Sequence, residues 1–198
     1  MSIETLSERA DELRGKGLST REICQELHLS RATIEWLLAK QASKPGERPP
    51  ADVKAGWRTI GVSGFRMRAV AEIMADIILE EQEKHDFDVE VIAGVMANGV
   101  PLGTLISELL EVDFAMIRPS REDTSIDFAS NFAGLKDKAV VIIDDVVSSG
   151  ATSHEVIEFV KQEGGKPVLV IVVINKRAEN ELDGVPLRAL VRARPVGT

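Results

Sequence analysis

The chain has 198 residues, a formal net charge of −8 and a hydrophobic share of 44%. That is enough for one ordinary domain with a real core plus a small second one. The moderate acidity, with no basic run, gives no general attraction for nucleic acid and is too slight for adaptation to extreme salt. Cys24 is the single cysteine, so a disulfide frame and a thiolate metal cluster are both excluded, and no metal site is expected.

The first stretch, MSIETLSERADELRGKG, is charged throughout and lacks the apolar core of a signal peptide. The longest apolar run, Pro167–Ile174, is far too short to span a bilayer, so a soluble cytoplasmic protein is expected, with no membrane partner. Residues 20–38, TREICQELHLSRATIEWLL, read as two short helices. Ile23, Cys24 and Leu27 form the inner face of the first, and Leu29 plugs the turn. Ile34, Leu37 and Leu38 form the inner face of the second. Ser19 or Thr20 caps the first helix and Ser30 the second.

This is the spacing of a helix-turn-helix. Its second helix is expected to present Ser30, Arg31, Thr33, Glu35 and Trp36 outward, toward double-stranded DNA. His28 stands where glycine would be usual at the turn, and histidine tolerates positive φ better than most side chains. The alternative is a three-helix bundle used for dimerisation. From Met1 to Lys44, seven acidic residues face seven basic ones. So neutral a module gains little from phosphates, and DNA binding would call for a homodimer with two recognition helices on one operator.

Lys40–Gly56 contains three prolines, two glycines and scattered charge, and breaks both periodicities. The expected division is a helix-turn-helix domain at 1–44, a linker at 45–56 and a larger domain at 57–198. In that larger domain RAVAEIMADIILEEQEK is helical. DVEVIAGV is a strand followed by the helix NGVPLGTLISELLE, and VDFAMIR and KAVVIIDD are further strands. TSHEVIEFVKQEGG is a helix closed by glycines, KPVLVIVVIN a strand and LRALVRA a last short one. Alternating elements with continuous apolar strands predict an α/β fold, a parallel sheet covered by helices on both faces.

In such sheets ligands sit beyond the carboxyl ends of the strands, where Asp144 and Asp145 are expected to end one. Gly150 permits a tight turn and Thr152 opens a helix. Backbone N–H groups from about Ser148 to Thr152 would converge on one spot with the helix dipole behind them, and the serine and threonine hydroxyls add donors. That describes a phosphate cradle, without the lysine and glycine spacing of a Walker loop. The two carboxylates, acceptors when ionised, suit the vicinal hydroxyls of an attached sugar.

VVIIDDVVSSGAT resembles the ribose-5-phosphate signature of type I phosphoribosyltransferases, nearest to the orotate branch. GVMANGVPLGT (Gly94–Thr104) is similar to that branch's loop for the diphosphate of phosphoribosyl diphosphate. The resemblance covers roughly Arg58 to Val191. It implies that Asp144 and Asp145 face the ribose hydroxyls and that Ser148, Ser149, Gly150, Ala151 and Thr152 face the 5-phosphate. It places Ala97, Asn98 and Gly99 on the diphosphate side with Arg118. It also implies Mg2+, as the only cofactor, in the case that the ligand is phosphoribosyl diphosphate.

The departures are as informative. Active orotate enzymes carry an Arg-Lys pair, then a further lysine and a His-Gly on a mobile loop. Here Arg118 persists, but Pro119 follows it, and Glu122 and Thr124 fall at the positions of the second lysine and the histidine. Arg121 could substitute in part. The tyrosine-containing segment that shapes the base pocket has no counterpart in WRTIGVSGFRMR. The whole chain resembles archaeal transcriptional regulators described as orotate phosphoribosyltransferase-like, which control central sugar catabolism. The expected function is therefore a regulator whose catalytically degenerate domain senses a small phosphorylated effector, with no catalytic residues. The competing expectations are an active phosphoribosyltransferase with an appended module, and a dimeric scaffold with neither activity.

Overall fold

The computed structural model describes residues 2–39, 50, 52–119, 127–128 and 131–194. It divides into a helical unit within residues 1–56 and a larger unit, Trp57–Arg192.

The first unit contains α1 (Ile3–Gly15), α2 (Thr20–Leu27) and α3 (Arg31–Leu38). Ser19 and Glu22 start α2 with a reciprocal capping box, each side chain accepting the other's backbone N–H. His28 ends α2 in the left-handed region at φ 52°, which permits the sharp turn into α3. Ser30 caps α3 by accepting the Thr33 N–H. Ala10, Leu13, Ile23, Leu27, Leu29, Ile34, Leu37 and Leu38 are buried together as one small core, with Cys24 and Trp36 half-buried against it. The inner faces expected of both helices thus carry the packing, and α1 supplies their third wall.

The second unit begins with the single turn α4 (Arg58–Gly61) and the long helix α5 (Gly64–His85). Then follow β1 (Val91–Val95), α6 (Gly99–Leu110), β2 (Asp113–Arg118), β3 (Asp127–Phe128), β4 (Ala139–Val147) and α7 (Ala151–Gln162). The last elements are β5 (Lys166–Asn175), β6 (Glu181–Leu182) and β7 (Val185–Arg192). The seven strands form one sheet in the order β3-β2-β1-β4-β5-β7-β6. The five central strands run parallel, and the two-residue strands β3 and β6 close the edges antiparallel.

Alternate residues of the central strands are buried on opposite faces. Val91, Ala93, Val140, Ile142, Val170 and Val172 share a cluster with Val156, Ile157 and Val160 of α7. The residues between them face α5 and α6, which pack on β1, β4 and β5. This is the expected α/β sheet with helices on both faces. One boundary differs. β4 does not stop at the aspartates but pairs onward through Val146↔Ile174 and Val147↔Asn175. The acidic pair therefore sits within the end of the strand and is held there by the ladder to β5, the pairing with β1 having ended at Ile143.

Candidate functional site: a strand-end cradle and a capped helix

At the carboxyl end of the sheet, β4 feeds the Ser148–Gly150 bend into α7. Gly150 caps α7 at φ 87°, a conformation that L side chains rarely adopt. A side-chain carbon there would also fall 2.9 Å from Arg177 Nη1. Gly150 has no side chain to cap α7, the Ser149 hydroxyl accepts the Ala151 N–H at 3.4 Å, and the positive end of the helix faces the bend. Ser149 and Ala151 are exposed, while Ser148 and Thr152 are half-buried.

The two aspartates differ. Asp144 is half-buried, and its Oδ1 accepts the Asp145 N–H at 2.8 Å. Asp145 is buried, at 6% exposure, and is approached by three donors. Val146 N–H reaches Oδ1 at 2.8 Å, while Trp57 Nε1 and Asn98 Nδ2 reach Oδ2 at 2.8 and 3.0 Å. Asn98 ties the β1–α6 loop to the acidic pair. Beside it the Met96–Ala97 peptide is cis, and Gly99 lies against β4 so closely that a side-chain carbon would fall 2.1 Å from the Ile143 carbonyl oxygen. Glycine is required there by packing, whatever the loop binds. Arg118, exposed at the end of β2, donates from Nε to Met96 Sδ at 3.4 Å, which brings its guanidinium over the same loop. Ala97 is exposed beside it.

The structure thus brings Asp144, Asp145, Asn98, Gly99 and the Ser148–Thr152 bend to one end of the sheet. Arg121, the partial substitute, and the departures Glu122 and Thr124 lie outside the described residues, and Pro119 is buried. Two residues escaped the sequence reading. Arg177, just beyond β5, donates from Nη1 to the Ser149 carbonyl and pairs through Nη2 with Glu179 Oε2 at 3.2 Å. Its position after a parallel strand was the available signal. Trp57 had no signal, since its partner lies 88 residues away. Among the described residues no group of three or more His, Cys, Asp or Glu side chains is placed to hold a metal. No described helix is long and apolar enough to cross a membrane.

In the first unit the expected outward set needs correction. Thr33 is buried, at 5% exposure, and its Oγ1 donates to Asp52 Oδ2 at 2.9 Å. Ser30 is half-buried, its hydroxyl engaged in the cap and its N–H given to the same Asp52 oxygen at 2.6 Å. The reason is angular: Thr33 precedes Leu37 by four residues and so lies on the inner stripe. Arg31 and Glu35 do project, and they pair with each other, Nε to Oε1 at 2.6 Å. Glu35 holds the Arg31 guanidinium above its ordinary pKa. Trp36 is half-buried, packed on the helical core.

A parallel sheet ending in an acidic pair and a phosphate-type bend, faced by an Asn-Gly loop, defines a phosphoribosyl transferase domain. The family model of that description matches residues 58–186. Solved structures agree in fold: adenine phosphoribosyl transferase from Trypanosoma brucei superposes with a TM-score of 0.54 at 22% identity, covering 72% of each chain. Orotate phosphoribosyltransferase from Mycobacterium tuberculosis gives 0.52 at 17%, over 68% of this chain and 78% of that one. Over the whole length, the chain is 47% identical to the transcriptional regulator GfcR of Thermoplasma acidophilum, covering 99% of this chain and 98% of the relative. It is 45% identical to GfcR of Picrophilus torridus, over 96% and 97%. The chain belongs to the GfcR family of transcriptional regulators that carry a phosphoribosyl transferase domain.

Proposed function

We propose that this chain is a DNA-binding regulator of central sugar catabolism whose phosphoribosyl transferase domain senses a phosphorylated sugar, or phosphoribosyl diphosphate, without turning it over. The observation that carries the reading is the pairing of the glycine-started α7 N-terminus with two carboxylates one bend away. A phosphate on the Ser148–Thr152 N–H groups would meet a favourable helix dipole. Arg177, packed against Gly150, adds a cation, partly offset by Glu179. Sugar hydroxyls, as donors, suit Asp144 and Asp145.

Transfer chemistry needs cations around the departing diphosphate. Arg118 is present, but Pro119 supplies none. Phosphoribosyl diphosphate would bring Mg2+ with it, since that ion binds through one or two carboxylates together with substrate phosphates. Asp144 and the ligand's own oxygens are the groups available to it here.

On the DNA side, α3 would enter the major groove with Arg31 and Glu35 leading, and Trp36 at its flank. Two copies in a homodimer would supply the phosphate contacts that one near-neutral helical unit lacks.

Two measurements on the intact protein test this. Calorimetric titration with ribose 5-phosphate and with phosphoribosyl diphosphate and Mg2+ should show binding that Asp144→Asn weakens. Product formation from phosphoribosyl diphosphate with orotate or purine bases should be negligible, and turnover on the order of one per second, ordinary for an enzyme, would establish the enzymatic reading instead.

A further inference from the structure

Trp57 donates its indole N–H to the Asp145 oxygen that also receives Asn98. A sugar hydroxyl would approach that carboxylate as the same kind of donor. The two present donors are held very differently. Asn98 stands at the start of α6, anchored by the close contact of Gly99 with the Ile143 carbonyl. Trp57 precedes a four-residue turn, α4, that buries no residue and has no side-chain cap. Weakly packed elements of this kind open first.

The chain on the other side of Trp57 is also anchored. Asp52 accepts Ser30 N–H at 2.6 Å and Thr33 Oγ1 at 2.9 Å, and so holds the N-terminus of α3. Its Oδ1 accepts the Val53 N–H at 2.8 Å. Only Val53, Lys54, Ala55 and Gly56 separate the two anchors.

We propose that Trp57 is a ligand-displaced latch. In the free protein its indole N–H occupies Asp145, and an entering sugar hydroxyl takes that place and releases it. Release loosens the second fixed end of the segment that Asp52 begins, so Asp52 must then hold α3 more by its own hydrogen bonds. The entropy of a short tether is thus exchanged between the effector site and the recognition helix. The latch rests on the reading of the strand end as a sugar-phosphate site. It assigns Trp57 and Asp52 to the signal, with ligand hydroxyls rather than phosphate as the trigger.

The experiment uses the full-length protein in a Trp36→Phe background, where Trp57 is the remaining tryptophan and no change at the latch is needed. Ribose 5-phosphate should shift the Trp57 emission, whereas inorganic phosphate, which offers no sugar hydroxyl, should leave it unchanged. Trp57→Phe keeps a ring but loses the N–H. It should bind ribose 5-phosphate about tenfold more tightly, the weight of one half-exposed hydrogen bond to a carboxylate. Deuterium uptake over residues 29–33 should rise when ribose 5-phosphate is added to the parent, and should already be high in Trp57→Phe.

Binding of ribose 5-phosphate with unmoved emission and equal affinity in Trp57→Phe overturns the latch and leaves the sensor reading standing. Binding to Trp57→Phe alone supports the latch as the barrier to entry. If neither protein binds ribose 5-phosphate or phosphoribosyl diphosphate with Mg2+, the sensor reading fails and the latch falls with it. Emission that shifts without any change in uptake over residues 29–33 refutes the relay to α3.

Discussion

Replacing Asp145 with asparagine should cost the phosphoribosyl transferase domain stability even with no ligand present, and Asp144→Asn should not. Asp145 is 6% exposed and accepts from Val146 N, Trp57 Nε1 and Asn98 Nδ2. An asparagine offers one acceptor oxygen and turns an NH2 group, itself a donor, toward the remaining partners. At least one N–H then loses its acceptor, at ~1–3 kcal/mol, and the surviving bonds lose their charge assistance. The sum is about 3 kcal/mol. For a domain of this size that lowers the melting temperature by roughly 6–12 °C. At a slope of ~2 kcal/mol per molar urea it also shifts the midpoint down by about 1.5 M. Asp144 is half-buried, and the Asp145 N–H that its Oδ1 accepts can still be accepted by an asparagine oxygen. Its variant should melt within ~0.5 kcal/mol of the parent, as substitutions away from special features do. Urea unfolding followed by Trp57 emission in the Trp36→Phe background reads this domain directly. An Asp145→Asn midpoint equal to that of Asp144→Asn would refute the argument that three donors converge on one carboxylate.

Gly99→Ala should fail to accumulate as folded protein, because a carbon 2.1 Å from the Ile143 carbonyl forces α6 off the sheet; solubility and circular dichroism check it. Burial pushes the Cys24 thiol up to about 11. Iodoacetamide should therefore modify it slowly at pH 8 until urea exposes it, and its contribution to stability should fade as pH rises from about 9 toward 11. Burial works to raise the Glu81 carboxyl, but hydrogen bonds from Arg188 and Lys84 outweigh it, leaving the group below its ordinary pKa. Its stabilisation is present above the unfolded value and lost as pH falls, so Glu81→Gln should flatten the acid limb of a melting-temperature profile. Arg31→Ala should lower affinity for the protein's own operator about tenfold, and Glu35→Gln, which frees the Arg31 guanidinium, should raise affinity for DNA in filter binding.

Much of the fold was legible because its signals are local. Continuous apolar runs mark β1, β4 and β5, and caps at Ser19 and Ser30 mark the helix starts. The edge strands β3 and β6 are two residues each, too short to carry a periodicity, and exist by pairing with β2 and β7. The end of β4 lies beyond the acidic pair because pairing, not charge, sets it. The ladder to β5 continues through Val147, and Asp145 is tolerated inside it since its acceptors are filled. Thr33 is buried rather than outward, and its spacing of four from Leu37 already puts it on the inner stripe. The acidic pair and the bend could be read because they are contiguous. Trp57 could not, because its meaning depends on a contact closed by the whole sheet.

The two aspartates divide a task that the sequence presents as shared. A sensor needs one group that ligand can reach and one whose rearrangement the rest of the chain can feel. Asp144, half-buried at the same strand end, suits the first. Asp145, buried under Trp57 and Asn98, suits the second, since a ligand hydroxyl at its Oδ2 would compete with donors that belong elsewhere in the chain. A ligand shifts an equilibrium only by its differential affinity for the two states. In an active transferase, hydrogen bonds to the sugar serve the reaction. On the proposed reading the same carboxylate, already holding the residue that opens the domain, would make sugar binding and the closed latch mutually exclusive. A chain that lacks the orotate loop's lysines and keeps the acidic pair fits that proposal: the first would remove turnover, and the second would keep a bound ligand coupled to the polypeptide.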